Sequence, residues 1–84
     1  MGHKEGRVRF NLFQLLKQLE MQNNRYYTAT GVAVGAGLHF NTVHDMLHNR
    51  TRQVRFETLE RILAWLRGEG LDVSLDDLII EADE

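Results

Sequence analysis

Apolar positions recur along this chain with two clear helical periods. In NLFQLLKQLEMQ, residues 11–22, Leu12, Leu15, Leu16 and Leu19 fall at i, i+3, i+4 and i+7, one stripe of a helix whose other faces are polar. Asn11 suits the N-cap, and Gln14 three residues on gives the pattern of a capping box. Asn23 and Asn24 then break the period. In RFETLERILAWLRGEG, residues 55–70, Phe56, Leu59, Ile62, Leu63 and Leu66 share a face. Glu57 and Arg61 form an i,i+4 pair there, and Gly68 and Gly70 end the helix. In SLDDLII, residues 74–80, Ser74 is the N-cap and Asp76 and Asp77 lie in the first turn, where carboxylates suit the helix dipole. This predicts a short helix from about residue 75. LDVSL, residues 71–75, also alternates, so a short strand is the competing assignment. Tyr26 and Tyr27, between the first two helices, are assigned to core and rim.

Between the periodic segments lies ATGVAVGAGLHFNTVHDMLH, residues 29–48, with Gly31, Gly35 and Gly37 among small apolar residues. A phosphate-cradling loop needs a buried strand before it and a Lys-Ser/Thr pair after it, and here Leu38 and His39 follow. A membrane-packing face fails because His39, Asn41 and His44 come at once. A turn between two steeply crossing helices explains more. Ala33 is small where the helices approach, and Gly37 tolerates the positive φ that ends the first of them. Val32, Ala36, Leu38, Val43 and Met46 supply the two inner faces. Gly31 and Gly35 each weaken the earlier helix by about 1 kcal/mol relative to alanine.

With the flanking helices in order, residues 9 to 80 resemble the helix-turn-helix regulators of the Cro and phage-repressor type, the XRE family. NLFQLLKQLEM resembles that family's first helix, MLHNRTRQVRFETLERI its linker and fourth helix, and VSLDDLI its short fifth helix. The resemblance implies a single all-α domain of about five helices with a central helix-turn-helix, the lambda-repressor-like DNA-binding fold. Residues 1–8 are then a flexible basic segment and 81–84 an acidic tail. The family usually carries a phosphate-binding glutamine where this chain has Ala29.

The implied function is sequence-specific DNA binding in transcription regulation, with a third helix of about residues 40–48 in the major groove. Val43, Met46 and Leu47 face the core. The opposite face offers His39, Phe40, Asn41, His44 and Asp45 for bases: an asparagine can pair with adenine, a histidine donate to guanine, a phenylalanine touch a thymine methyl and an aspartate accept from cytosine. The phosphate candidates are Arg50, Arg52 and Arg55 in the linker, Thr42, and Thr28 and Thr30 at the start of the second helix. Arg7 and Arg9 form either an arm reaching an adjacent groove or a solvated tail. One such helix reads only a few base pairs, so the partners expected are double-stranded DNA and a second copy of the chain.

Charge changes the picture. The net charge of −2 argues mildly against nucleic acid, but its distribution does not. Residues 1–56 carry eight basic groups against three acidic, a balance of +5, and residues 57–84 two against nine, a balance of −7. A basic face and an acidic end follow. At 84 residues there is room for one small domain, and with no cysteine there is neither a disulfide nor a thiolate metal site. No apolar run spans a bilayer and no secretory leader is evident, so a cytoplasmic location is expected.

Rival chemistry is thinner. His44 and His48 form an i,i+4 pair near His39, but a closed zinc site needs four ligands and no fourth donor is evident. Acid–base use of these histidines with Asp45 lacks a nucleophile or oxyanion site. No enzyme, cofactor, metal or small-molecule substrate is expected. The competing function is a protein-interaction module, such as an antitoxin or accessory subunit with a degenerate helix-turn-helix. RNA binding is disfavoured by the scarcity of exposed aromatics.

Overall fold

The computed structural model describes residues 8–50 and 53–81. The elements run β1 (Val8–Phe10), α1 (Leu12–Asn23), α2 (Ala29–Ala36), α3 (Phe40–Leu47), α4 (Phe56–Gly68), α5 (Leu75–Leu78) and β2 (Ile79–Glu81). Among the described residues the domain is all-α with five helices, as the sequence resemblance implies, and adds one antiparallel strand pair that the apolar pattern does not announce.

That pair changes how the start of α1 is held. The capping box of Asn11 and Gln14 does not form, and the Asn11 side chain makes no cap bond. Instead its Nδ2 donates to the Asp77 carbonyl at 3.3 Å and its N–H to the Leu78 carbonyl at 2.7 Å. These bonds fasten the start of α1 to the end of α5. The strands continue from there, with Phe10 opposite Ile79, Arg9 opposite Ile80 and Val8 opposite Glu81. The segments assigned to a flexible leader and an acidic tail each lose one residue, Val8 and Glu81, to this ladder. Residues 1–7 and 82–84 lie outside the described residues. Leu71 and Val73 are buried, so the alternation at 71–75 is real, but that stretch has no strand partner.

Helix α1 ends as its asparagines suggest, with Asn24 left-handed at φ 53° and its N–H donating to the Glu20 carbonyl. Its last turn also completes α4. Asn23 Nδ2 donates to the Glu69 carbonyl at 2.9 Å and Gln22 Nε2 to the Gly70 carbonyl at 2.6 Å, so two carbonyls beyond a helix end find donors. The two tyrosines part ways. Tyr27 is half-buried, its hydroxyl donating to Glu69 Oε1 at 2.9 Å while its ring meets Trp65 edge-on. Tyr26 is 77% exposed and belongs to no core.

In α4 the buried stripe is Leu59, Ile62, Leu63 and Leu66. Phe56, expected on that stripe, is 62% exposed. Side chains tilt toward a helix N-terminus, so the first residue of α4 projects past the turns that pack. Ser74 heads α5, where its N–H donates to Asp77 Oδ2 at 2.9 Å. The core joins these stripes: Leu12, Leu19, Val32, Val43, Met46, Ile62, Leu66 and Leu78 are fully buried. Each contributes about 1.5–3 kcal/mol of apolar burial.

Candidate nucleic-acid interface

The glycine-rich segment folds into two helices joined by three residues. Thr28 caps α2, its Oγ1 accepting from the Gly31 N–H at 3.0 Å. Gly37 ends the helix in the left-handed region at φ 73°, ψ 39°, and the Leu38 N–H returns to the Ala33 carbonyl at 2.8 Å. Val32, Ala33, Ala36, Val43 and Met46 are buried and Leu38 partly so. Both glycines inside α2 sit in formed helix. A side chain at Gly35 would collide with the Trp65 indole, so this position lets α2 lie against α4. Gly31 has only Thr28 Oγ1 near it, at 3.3 Å from an added Cβ.

Three contacts fix where α3 points. Arg61 Nη1 of α4 donates to the Gly37 carbonyl at 3.3 Å while its Nη2 holds Glu57 at 3.0 Å, pinning α4 to the turn. At the other end Asn49, itself left-handed at φ 53°, brackets the outer edge of β1. Its Oδ1 accepts from the Phe10 N–H and its Nδ2 donates to the Phe10 carbonyl at 3.2 Å. The Arg50 N–H donates to the Asp45 carbonyl at 2.8 Å, which sets the exit of the linker.

With Val43 and Met46 inward, the outer face follows from about 100° per residue. Asn41, Asp45 and His48 point most directly away from the core. Phe40 and His44 lie on one flank, where their rings meet at 5.4 Å, and the row continues to His48 at 4.4 Å from His44. Phe40 is thus both packed and 45% exposed. Thr42 lies on the other flank. It lines an open depression of about 530 Å³ together with His39, Asp45, Gln53, Arg55 and Thr58. Asp45 Oδ1 stands 4.0 Å from His44 Nδ1.

Of the base candidates, His39, Phe40 and Asn41 are exposed and His44 and Asp45 half-exposed, all on α3 or its first flanking residue. Of the phosphate candidates, Thr28, Thr30, Arg50 and Arg55 are exposed and Thr42 half-buried. Arg50 and Arg55 have no acidic partner among the described residues, whereas Lys17, Arg25 and Arg61 each have one. Arg9 is no free arm: it is an exposed residue of β1. Arg7 and Arg52 lie outside the described residues. The outward residues that the sequence did not assign are His48 and Gln53. The 100° arithmetic alone places His48, whereas Gln53 has no periodic signal.

Among the described residues no three His, Asp or Glu side chains group to hold a metal ion, and no helix is long and apolar enough to cross a membrane. The chain matches no protein-family model, no curated protein and no solved structure.

Proposed function

We propose that this protein is a sequence-specific DNA-binding transcription regulator of the Cro and phage-repressor kind, which lays α3 in the major groove. The observation that carries this reading is the turn at Gly37. It joins α2 and α3 through three residues, with Val43 and Met46 buried and Asn41, Asp45 and His48 facing out. An outward helix with short polar side chains suits base edges. Arg50 and Arg55, unpaired by carboxylates among the described residues, flank it where phosphates would lie. In this role Asn41 pairs with adenine, His44 and His48 donate, Phe40 meets a thymine methyl, and Thr28 and Thr30 offer hydroxyls at the N-terminus of α2. Two copies bind adjacent half-sites in the cytoplasm, and no catalysis or cofactor is involved.

Selection of bound duplexes from a random pool tests the reading. A reproducible motif bound with a strong salt dependence is expected. Failure to shift any duplex at low salt overturns it.

A second reading, a protein-interaction module, draws on the exposed apolar side chains Met21, Tyr26 and Val34. Isolated, such residues are ordinary. They gain weight only if no duplex binds.

A further inference from the structure

His44 and His48 stand one helical turn apart on the flank of α3, at i and i+4, where side chains are neighbours. His48 is exposed and His44 half-exposed, so ions in solution can reach both. Among the described residues no hydrogen bond engages either imidazole, and the ring centres are 4.4 Å apart. Phe40 packs against His44 from the preceding turn, at 5.4 Å, which limits how far that ring can swing away.

The separation is close to what a shared cation requires. An imidazole nitrogen binds a late first-row cation at about 2.0–2.1 Å, which puts the ring centre about 3.2 Å from the metal. Two rings bound at a right angle around one ion therefore lie about 4.5 Å apart, and at a tetrahedral angle about 5.2 Å apart. The observed spacing is nearest the right-angled pair. Such pairs belong to the tetragonal coordination of Cu²⁺ and Ni²⁺, for which imidazole is a suitable ligand. Asp45 adds to this, its Oδ1 standing 4.0 Å from His44 Nδ1. A carboxylate beside Nδ1 leaves Nε2 as the nitrogen that meets the cation, as carboxylates behind metal-bound histidines do. His39 is not part of the pair, since it lines the depression with Thr42. Two imidazoles fall short of the ligands of a closed zinc site, but water completes the sphere of an open one.

We propose that His44 and His48 chelate a late first-row divalent cation, Cu²⁺ most tightly, on the outer face of α3. The site goes beyond the DNA-binding reading and does not depend on it. Where both hold, cation and bases compete for the same nitrogens, because a metal-bound imidazole nitrogen cannot also donate to a base edge.

Isothermal titration of the full chain with Cu²⁺ tests the site, in a His3→Ala background so that the first residues add no imidazole of their own. Saturable binding of one ion per chain with a micromolar Kd is expected, and Zn²⁺ should bind more weakly. His44→Ala and His48→Ala should each raise the Kd about tenfold or more, at least what losing a carboxylate behind a ligand costs. His39→Ala should leave it unchanged. None of these rings belongs to the core, and circular dichroism confirms that each variant is folded. A second measurement leaves all three rings in place. Substoichiometric Cu²⁺, being paramagnetic, should broaden the ring-proton resonances of His44 and His48 more than those of His39. No saturable binding, a folded His44→Ala or His48→Ala variant that binds as before, or broadening centred on His39 overturns the site. No step needs DNA, so a chain that holds the cation at this pair but shifts no duplex overturns the DNA-binding reading alone.

Discussion

Gly35 of α2 rests against the indole of Trp65 in α4. A Cβ at Gly35 would lie 2.7 Å from Trp65 Cδ1 and closer still to Nε1. The ring has little room to retreat, since it also meets Tyr27 edge-on at 5.6 Å. Two effects therefore oppose each other at this residue. Alanine gains about 1 kcal/mol of helix propensity. Overpacking a fixed ring costs about 1–3 kcal/mol.

Gly35→Ala is expected to destabilise the fold on balance, with a melting temperature lower by several degrees. Gly31→Ala is the control. Its Cβ meets only Thr28 Oγ1, at 3.3 Å, so propensity prevails and stability should be unchanged or higher. Thermal melts of the two variants should move apart. If both rise, α2 does not press against Trp65 in solution.

Gly37→Val should be more damaging. The residue sits at φ 73°, where a β-branched side chain is strained by about 1–3 kcal/mol. Its Cβ would also press to 3.1 Å from Arg61 Nη1, which bonds the Gly37 carbonyl. A melting temperature within a degree of wild type would mean that no left-handed turn joins α2 to α3.

Asn49 clamps β1 through both backbone groups of Phe10. Asn49→Gly keeps the left-handed conformation but removes both bonds, whereas Asn49→Ala loses the bonds and strains the backbone. Stability should fall in the order Asn, Gly, Ala, by about 1–3 kcal/mol at the first step. The Phe10 amide should exchange with solvent faster in both variants. Unchanged exchange would mean that the clamp is idle.

These residues show how far the sequence could be read. Periods of apolar residues located α1 and α4, and the Gly37 spacing located the turn, because burial and positive φ each leave a local signature. The strand pair left none, being three residues long on each side and joining the two ends of the chain. Phe56 misled because periodicity assigns a face but not whether a helix end lies within the packed region. Asn11 misled because a distant carbonyl prevailed over the local cap. At the candidate interface, α3's outward face followed from its core face, whereas the depression shared with Gln53 and Arg55 depends on where the linker runs.

Affinity and specificity should separate within the proposed DNA interface. Arg55→Ala should weaken binding to every duplex alike and lower the magnitude of the log–log salt slope by about 0.9 if Arg55 neutralises one phosphate. A full slope with weakened binding would place Arg55 off the phosphate path.

The complementary test removes reading without removing the arginines. Asn41 lies at the centre of the outer face of α3, and His44 on its flank against Phe40. Neither side chain belongs to the core, so replacing both by alanine should leave the fold standing. With Arg50 and Arg55 untouched, affinity for arbitrary DNA should hardly change. Preference for the selected operator should fall by about 1–3 kcal/mol for each base-specific hydrogen-bond pair removed. Competition between operator and random duplex at fixed salt measures this directly. A double variant that keeps full preference moves the reading elsewhere, to His48 or to DNA shape. A wild type with no preference at all removes α3 as a reading helix.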